Sequence, residues 1–545
     1  MKKFLPIVVA FVLIAITALV FINQTFNNYL ASGGVKKNPD STIFISRQSP
    51  FMVSLLVNPE KINLLPNFLP TKSDQKKVLQ AVEQIRTKLL NKVKIDDPEA
   101  LKDWLGDEIT LAVTSLDLDH NRDNGVQTGY LLVVKNNNPS LAREFLRDYY
   151  AKQAVSTEAK LIFDTYQGVN LIYQKPKTAD IPQVAAAVIA NYTLFANDLL
   201  VLKDAINNAQ AINLNLSHYQ PYGRALETIT QPKVSLAYLN LPATSAWITS
   251  QPLPENQPIE QNLIISLAVS ENGLIAHSAL SGVTGNENQP PALNHPPSAL
   301  QYIPDDSIFA TSGVNLQGLW ALIKQGLPEN SPLQQLITQS LKPLQSSLNL
   351  NFAEDVFPLV TGEYGLSLSI DKMTQELDWL FVNENLGQSL GENFDLIAQN
   401  RGLSVGKLPL ENTTITAWTK LVTTAENNFA KLEAQVKGVH TQKDTYEIIT
   451  NSVDTLSDLL AEPEKNLLNN EIFKETIADM PVENNGYFYL QWQEIEPYLI
   501  KEFPILKVAK LSFKPLFDNL KSLTITSEGT ENGVTQATIF LDLLK

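Results

Sequence analysis

The sequence repeats itself once, at long range and in the same order. Val57-Asn58 returns as Val314-Asn315, and Glu108 ahead of Ile109-Thr-Leu-Ala-Val113 returns as Glu363 ahead of Tyr364-Gly-Leu-Ser-Leu368. Glu227-Thr-Ile229 returns as Glu475-Thr-Ile477, Tyr238-Leu239 as Tyr489-Leu490, and Ser270-Glu-Asn-Gly273 as Thr530-Glu-Asn-Gly533. Glu363 follows Glu108 by 255 residues, and the other pairs keep close to that spacing. Each match alone is weak. A collinear series at one offset is rarely accidental, and a period this long means two similar domains in tandem, not a solenoid.

Within the first copy the apolar spacing predicts strands and helices in alternation. Thr42–Ser46 and Phe51–Val57 read as strands, and Val78, Val82, Ile85, Leu89 and Val93 mark a helix capped by Ser73. A short helix from Pro98 is expected to end at Gly106, in a left-handed cap. From Glu108 the residues alternate, with Ile109, Leu111 and Val113 on one face of a strand. Asn138-Pro139 opens a helix whose buried face carries Leu141, Phe145, Leu146 and Tyr149. Asn272-Gly273 predicts a hairpin, because both residues tolerate positive φ. Adjacent hairpins with helices between groups point to α+β: two tandem similar domains, each a mostly antiparallel sheet packed with helices, behind an N-terminal transmembrane helix. The expected divisions are 1–3 as a cytoplasmic tip, 4–22 as anchor, 23–41 as tether, 42–283 as the first repeat domain, 284–304 as a Pro-rich linker and 305–545 as the second repeat domain.

The anchor rests on an apolar run from Phe4 to Ile22 behind Lys2 and Lys3. As a helix it spans roughly 28 Å, close to the hydrocarbon thickness of a bilayer. The two lysines favour the cytoplasmic side, so the bulk is expected to be periplasmic or lumenal. The run is longer than a cleavable leader's core, and no small-residue cleavage site follows closely. Formal net charge is −15, which argues against nucleic acid as a partner. No cysteine is present, which excludes disulfides, thiol nucleophiles and thiolate metal sites.

Val-Asn-Pro after a strand, Trp104-Leu-Gly-Asp-Glu108, the Asp117-Leu-Asp119 loop leading to Gly129-Tyr130, and Gln167-Gly-Val169 together carry a likeness. On these motifs the chain after the anchor resembles a cyanobacterial membrane-anchored family, catalogued as domain of unknown function thirty-three fifty-two. The resemblance implies a bacterial, membrane-associated protein and transfers no catalytic residue.

Four candidate constellations stand beside their structural alternatives. Glu108 and Glu363 occupy matched positions, and paired carboxylates divide acid and base roles when their environments differ; the alternative is a corner that the fold needs twice. Asp117, Asp119, Asn121 and Asp123 have the oxygen spacing of a calcium loop, but Arg122 and Thr128 stand where such loops need glycine and glutamate. A polar hairpin tip fits better, with calcium the one cofactor to test. Gly402-Leu-Ser-Val-Gly406 fits the nucleophile-elbow pattern literally but lacks the helix that must follow. His120, His218, His277, His295 and His440 are dispersed. The expected function is therefore a non-enzymatic binding or scaffold role in the cell envelope or an internal membrane system, presenting paired domains to a protein or an apolar ligand. The alternative is a hydrolase or carbohydrate-acting enzyme using the acidic residues of the two repeats.

Overall fold

The computed structural model describes residues 33–57, 103–119, 126–157, 159–175, 184–249, 260–283, 291–327, 331–335, 337–338, 345, 351–371, 374, 376–387, 389–410, 413–426, 429–502, 510 and 514–543. The expected anchor at 4–22, the helix from Ser73 and the helix from Pro98 lie outside the described residues. Among the described residues no helix is long and apolar enough to cross a membrane. The fold is α+β and built on antiparallel pairing.

Two compact units divide the chain. One reaches to Gly282 and includes Ile500–Leu520; the other runs from Val283 to Leu499 and includes Lys521–Asp542.

The first unit contains β1 (Phe51–Leu55), β2 (Leu105–Ser115), β3 (Gly129–Asn136), β4 (Lys160–Tyr166), β5 (Val169–Lys175), β6 (Ala185–Ile189), β7 (Tyr192–Ala196), β8 (Ser235–Asn240), β9 (Asn262–Val269) and β10 (Gly273–Ser281). Its pairings run β4-β5-β6-β7-β3-β2-β1-β8-β9-β10, every neighbour antiparallel. The second unit contains β11 (Phe309–Val314), β12 (Glu363–Ile370), β13 (Leu377–Glu384), β14 (Ser404–Leu410), β15 (Thr413–Glu426), β16 (Phe429–Lys443), β17 (Tyr446–Thr450), β18 (Gly486–Gln491), β19 (Leu520–Glu531) and β20 (Val534–Leu543). Its order is β14-β15-β16-β17-β13-β12-β11-β18-β19-β20, the same path strand for strand.

Helices follow the same plan. α1 (Pro139–Thr157), α2 (Leu199–Gln210), α3 (Gln220–Glu227) and α4 (Leu241–Thr249) belong to the first unit; α5 (Leu316–Gly326), α6 (Leu390–Asn400), α7 (Val453–Ala461) and α8 (Glu471–Ala478) belong to the second, where the helix Trp492–Glu502 follows β18 as α4 follows β8. Asp198 caps α2 through the Leu200 N–H, and Ser452 caps α7 through the Thr455 N–H, each satisfying an amide that the helix leaves open. Paired aromatics recur as well. Phe44 and Tyr192 stand 5.2 Å apart, as do Tyr302 and Tyr446; Tyr222–Tyr238 and Phe473–Tyr489 are edge-on at 5.6 and 5.4 Å.

Several local expectations are corrected. Thr42–Ser46 is not a strand: Asp40–Phe44 forms a 3-10 turn. Gly106 is not a helix cap but lies inside β2, where a Cβ would meet the Lys135 carbonyl oxygen at 2.6 Å. On β2 the face opposite Ile109, Leu111 and Val113 is the deeper one, with Glu108, Thr110 and Ala112 all 0% exposed. Hydroxyls make this possible, since Thr110 Oγ1 lies 2.6 Å from Ser41 Oγ and 2.7 Å from Ser54 Oγ. On α1 the buried face is Ala142, Leu146 and Tyr150, a clean four-residue repeat, while Leu141 is exposed. Asn532 and Gly533 adopt the positive φ angles of a tight hairpin, 52° and 75°. In the β9–β10 hairpin Ser270 N–H instead donates to the Gly273 carbonyl. Both expected spacers carry structure at their far ends. Val35 bridges to Lys233, Leu293 bridges to Asn484, and Ser298–Tyr302 forms a second 3-10 turn.

Candidate functional site

Glu108 sits in a bulge at the head of β2, where Leu105 pairs with Asn136 but Ile109 pairs with Val134. The extra residues re-aim its side chain toward the first 3-10 turn. There Glu108 Oε1 accepts the Ser41 N–H at 2.8 Å and Oε2 accepts the Asp40 N–H at 3.2 Å. Glu363 does the same for the second turn, its Oε2 accepting the Ala299 N–H at 3.0 Å and the Tyr446 hydroxyl at 2.8 Å. Both carboxylates are committed to holding a turn whose leading amides have no other backbone partner. Burial raises the pKa of Tyr192, and Glu108 raises it further; burial and the bond to Glu363 raise that of Tyr446. Beside Glu108, burial pulls Lys135 down, but Asp40, Asp107 and Glu108 outweigh it and its pKa is raised.

The other sequence candidates are not brought together. Asp117 Oδ1 accepts the Gln127 N–H at 3.0 Å and Asp119 Oδ2 accepts the Gln127 amide at 3.4 Å, which ties the base of the loop. Asn121, Asp123 and His120 lie outside the described residues. Among the described residues no three His, Asp or Glu side chains are grouped to hold a metal ion. Gly402 takes φ 73° just after α6, and Ser404 begins β14 with its side chain exposed, so the chain runs helix to strand, the reverse of a nucleophile elbow. His218 pairs with Asn215, His295 with its neighbour's carbonyl, and His277 lies on β10 opposite Ser266. His440 is more embedded: its Nε2 lies 3.1 Å from Asp395 Oδ1, which also accepts Trp418 Nε1–H at 2.7 Å.

Trp418 belongs to a feature that the sequence did not announce. The second unit holds a cavity of about 470 Å³ on one face of its sheet. Its floor is a cross-strand row, Phe309 opposite Leu368 and Leu368 opposite Trp379, with Leu366 on the same face. Phe394, Ile397 and Ala398 of α6 form one wall, and Trp418 and Leu403 close the next. The polar groups are few. Asn451 is used internally, accepting the Trp379 N–H at 2.8 Å, and Arg401 and Lys437 stand exposed at the margin.

The first unit contains the same row, Phe51 opposite Val113 and Val113 opposite Tyr130, and fills the space above it. Trp247 of α4 lies over it, stacked on Phe51 at 6.4 Å, and leaves Phe51 and Val113 only 1% and 3% exposed. In the second unit the matched residues Phe309, Leu368 and Trp379 are half-buried, as Tyr130 is in the first. The second unit covers part of its row as well: the helix Trp492–Glu502, which follows β18 as α4 follows β8, brings Ile495 and Leu499 into the cluster that packs Phe309 and Leu368, and the cavity is lined by the remaining surface of that row together with Leu366 and α6. An apolar hollow of this size with a few polar groups at its edge has the anatomy of a small-molecule site.

The family model described as "Protein of unknown function (DUF3352)" matches residues 5–543. The chain belongs to this family. The match spans both units and takes in the duplicated glutamates and the residues that line the cavity. No curated protein matches the chain. A solved structure titled "Structure of crystal form IV of TP0453" is similar at 9% identity over 47% of this chain and 83% of its own, with a TM-score of 0.22. A score that low carries no argument about fold or role.

Proposed function

We propose that this chain is a membrane-anchored, non-enzymatic binding protein whose second unit takes up an apolar ligand. In this reading the Phe4–Ile22 helix fixes the protein to its membrane and the two units work on the periplasmic or lumenal side. The observation that carries it is the cavity lined by Leu366, Leu368, Trp379, Trp418 and the apolar side chains of α6. Leaving large apolar side chains half-covered forgoes roughly 25 cal/mol per Å² of burial, a cost that an occupant would recover.

Acid–base catalysis by the duplicated glutamates finds little support in their surroundings. A general acid or base must reach a substrate proton, and these carboxylates are spent on backbone amides within their own units. Native mass spectrometry of the full chain, extracted from its own membranes, tests the proposal. One added small mass per chain, removed by organic solvent, is expected. The bare chain mass in every preparation would contradict it.

A further inference from the structure

We infer that the occupant of the second unit's cavity is a single-chain amphipath with an anionic head, its chain over Leu366, Leu368 and Trp379 and its head at Arg401 and Lys437. This rests on the reading of the cavity as an apolar ligand site. Three observations lead to it.

The first is size. A cavity of about 470 Å³ holds on the order of 15 groups of water size, at ~30 Å³ each. That is the volume of one aliphatic chain of lipid length. The second is the lining. Apart from Arg401, Lys437 and Asn451 it is aliphatic or aromatic, and the amide of Asn451 is turned to the Trp379 N–H and the Leu377 carbonyl. Trp418 gives its indole N–H to Asp395 and so presents an apolar ring to the cavity. The interior therefore rewards a chain without polar atoms, because a buried polar group lacking a partner is costly.

The third is charge. The protein has 57 acidic and 42 basic residues, yet both charged residues on the lining are cations and neither is an acid. Asp395, the carboxylate behind this wall, is occupied by Trp418 and His440. Arg401 follows the last turn of α6, with its N–H on the carbonyls of Ile397 and Ala398, while Lys437 is carried by β16. Two cations from separate elements at the edge of an apolar hollow match a carboxylate or phosphate head whose chain lies inside. A fatty acid and a lysophospholipid share this chemistry.

Calorimetric titration of the full chain with four twelve-carbon probes below their micelle concentrations tests the assignment: dodecanoate, dodecanol, dodecyltrimethylammonium and lauroyl lysophosphatidate. Both anionic probes should bind at least tenfold tighter than dodecanol, and the ammonium probe weakest. The double variant Arg401→Gln/Lys437→Gln should bring dodecanoate down to the affinity of dodecanol and leave dodecanol unchanged. Added salt should narrow the gap in the native chain. Either order of the two anionic probes supports the anionic head, and that order separates the two sources. Dodecanol binding as tightly as dodecanoate would overturn the head assignment and leave the apolar site standing. Failure of all four probes would remove the apolar site as well.

Discussion

Glu108 shows how much one side chain determines here, and how differently it reads with and without its partner. In sequence the Gly106-Asp107-Glu108 triplet invites a catalytic role, and only its echo at Glu363 suggests a structural one. The structure supplies the reason in the Ser41 N–H, 67 positions away along the chain, which no local pattern connects to it. The same long-range contact explains why Thr110 is buried although alternation places it opposite Ile109, Leu111 and Val113: its hydroxyl partners, Ser41 and Ser54, come from distant segments. Hydrogen bonds to a charged acceptor contribute about 1.5–3 kcal/mol each way they are measured. Glu108→Gln keeps one acceptor oxygen and sets an amide N–H₂ against the other donor, so it should destabilise the first unit by roughly 2 kcal/mol. Glu363→Gln should cost less, because Glu363 is only half-buried. Denaturant unfolding of each variant measures this. Unchanged midpoints together with a lost catalytic activity would reverse the assignment.

At the scale of elements, the strands after the duplicated glutamate were legible because period-two alternation is a local property. Helix α1 was legible in position but not in phase: Leu141 and Ala142 are adjacent, and only packing against Trp104, Leu105 and Val134 selects Ala142. The cavity was not legible. The rows Phe51–Val113–Tyr130 and Phe309–Leu368–Trp379 look alike in sequence, and the difference lies in what covers them. The covering residue, Trp247, is contributed by α4, over 100 residues beyond β3 in the chain. Helix length offered a partial signal, since α1 has 19 residues and its counterpart α6 has 11. Leu366→Trp should fill part of the cavity. Overpacking costs stability in a filled core, but here the added ring enters existing space. The variant is expected to melt no lower than the native chain while its affinity for dodecanol falls at least tenfold. Loss of stability with binding retained would show that Leu366 faces packed protein and not the ligand.

For the whole molecule, duplication was readable before any coordinates, since conserved spacing survives where individual residues have drifted. What drifted is informative. The turn, its glutamate, the paired aromatics and the ten-strand path persist in both copies, whereas the cover over the row changes from Trp247 in the first to Ile495 and Leu499 in the second. In the reading proposed above the second copy receives a ligand, and anchoring would place it where amphipathic ligands concentrate. The claim that an apolar chain occupies the second unit is tested most directly by tryptophan quenching with 12-bromododecanol. Of the six tryptophans, Trp379 and Trp418 line the cavity. Saturable quenching at one probe per chain is predicted, with the quenched fraction reduced by Trp379→Phe and by Trp418→Phe and unchanged by Trp247→Phe. Quenching that never saturates, or that is indifferent to Trp379 and Trp418, would contradict the account.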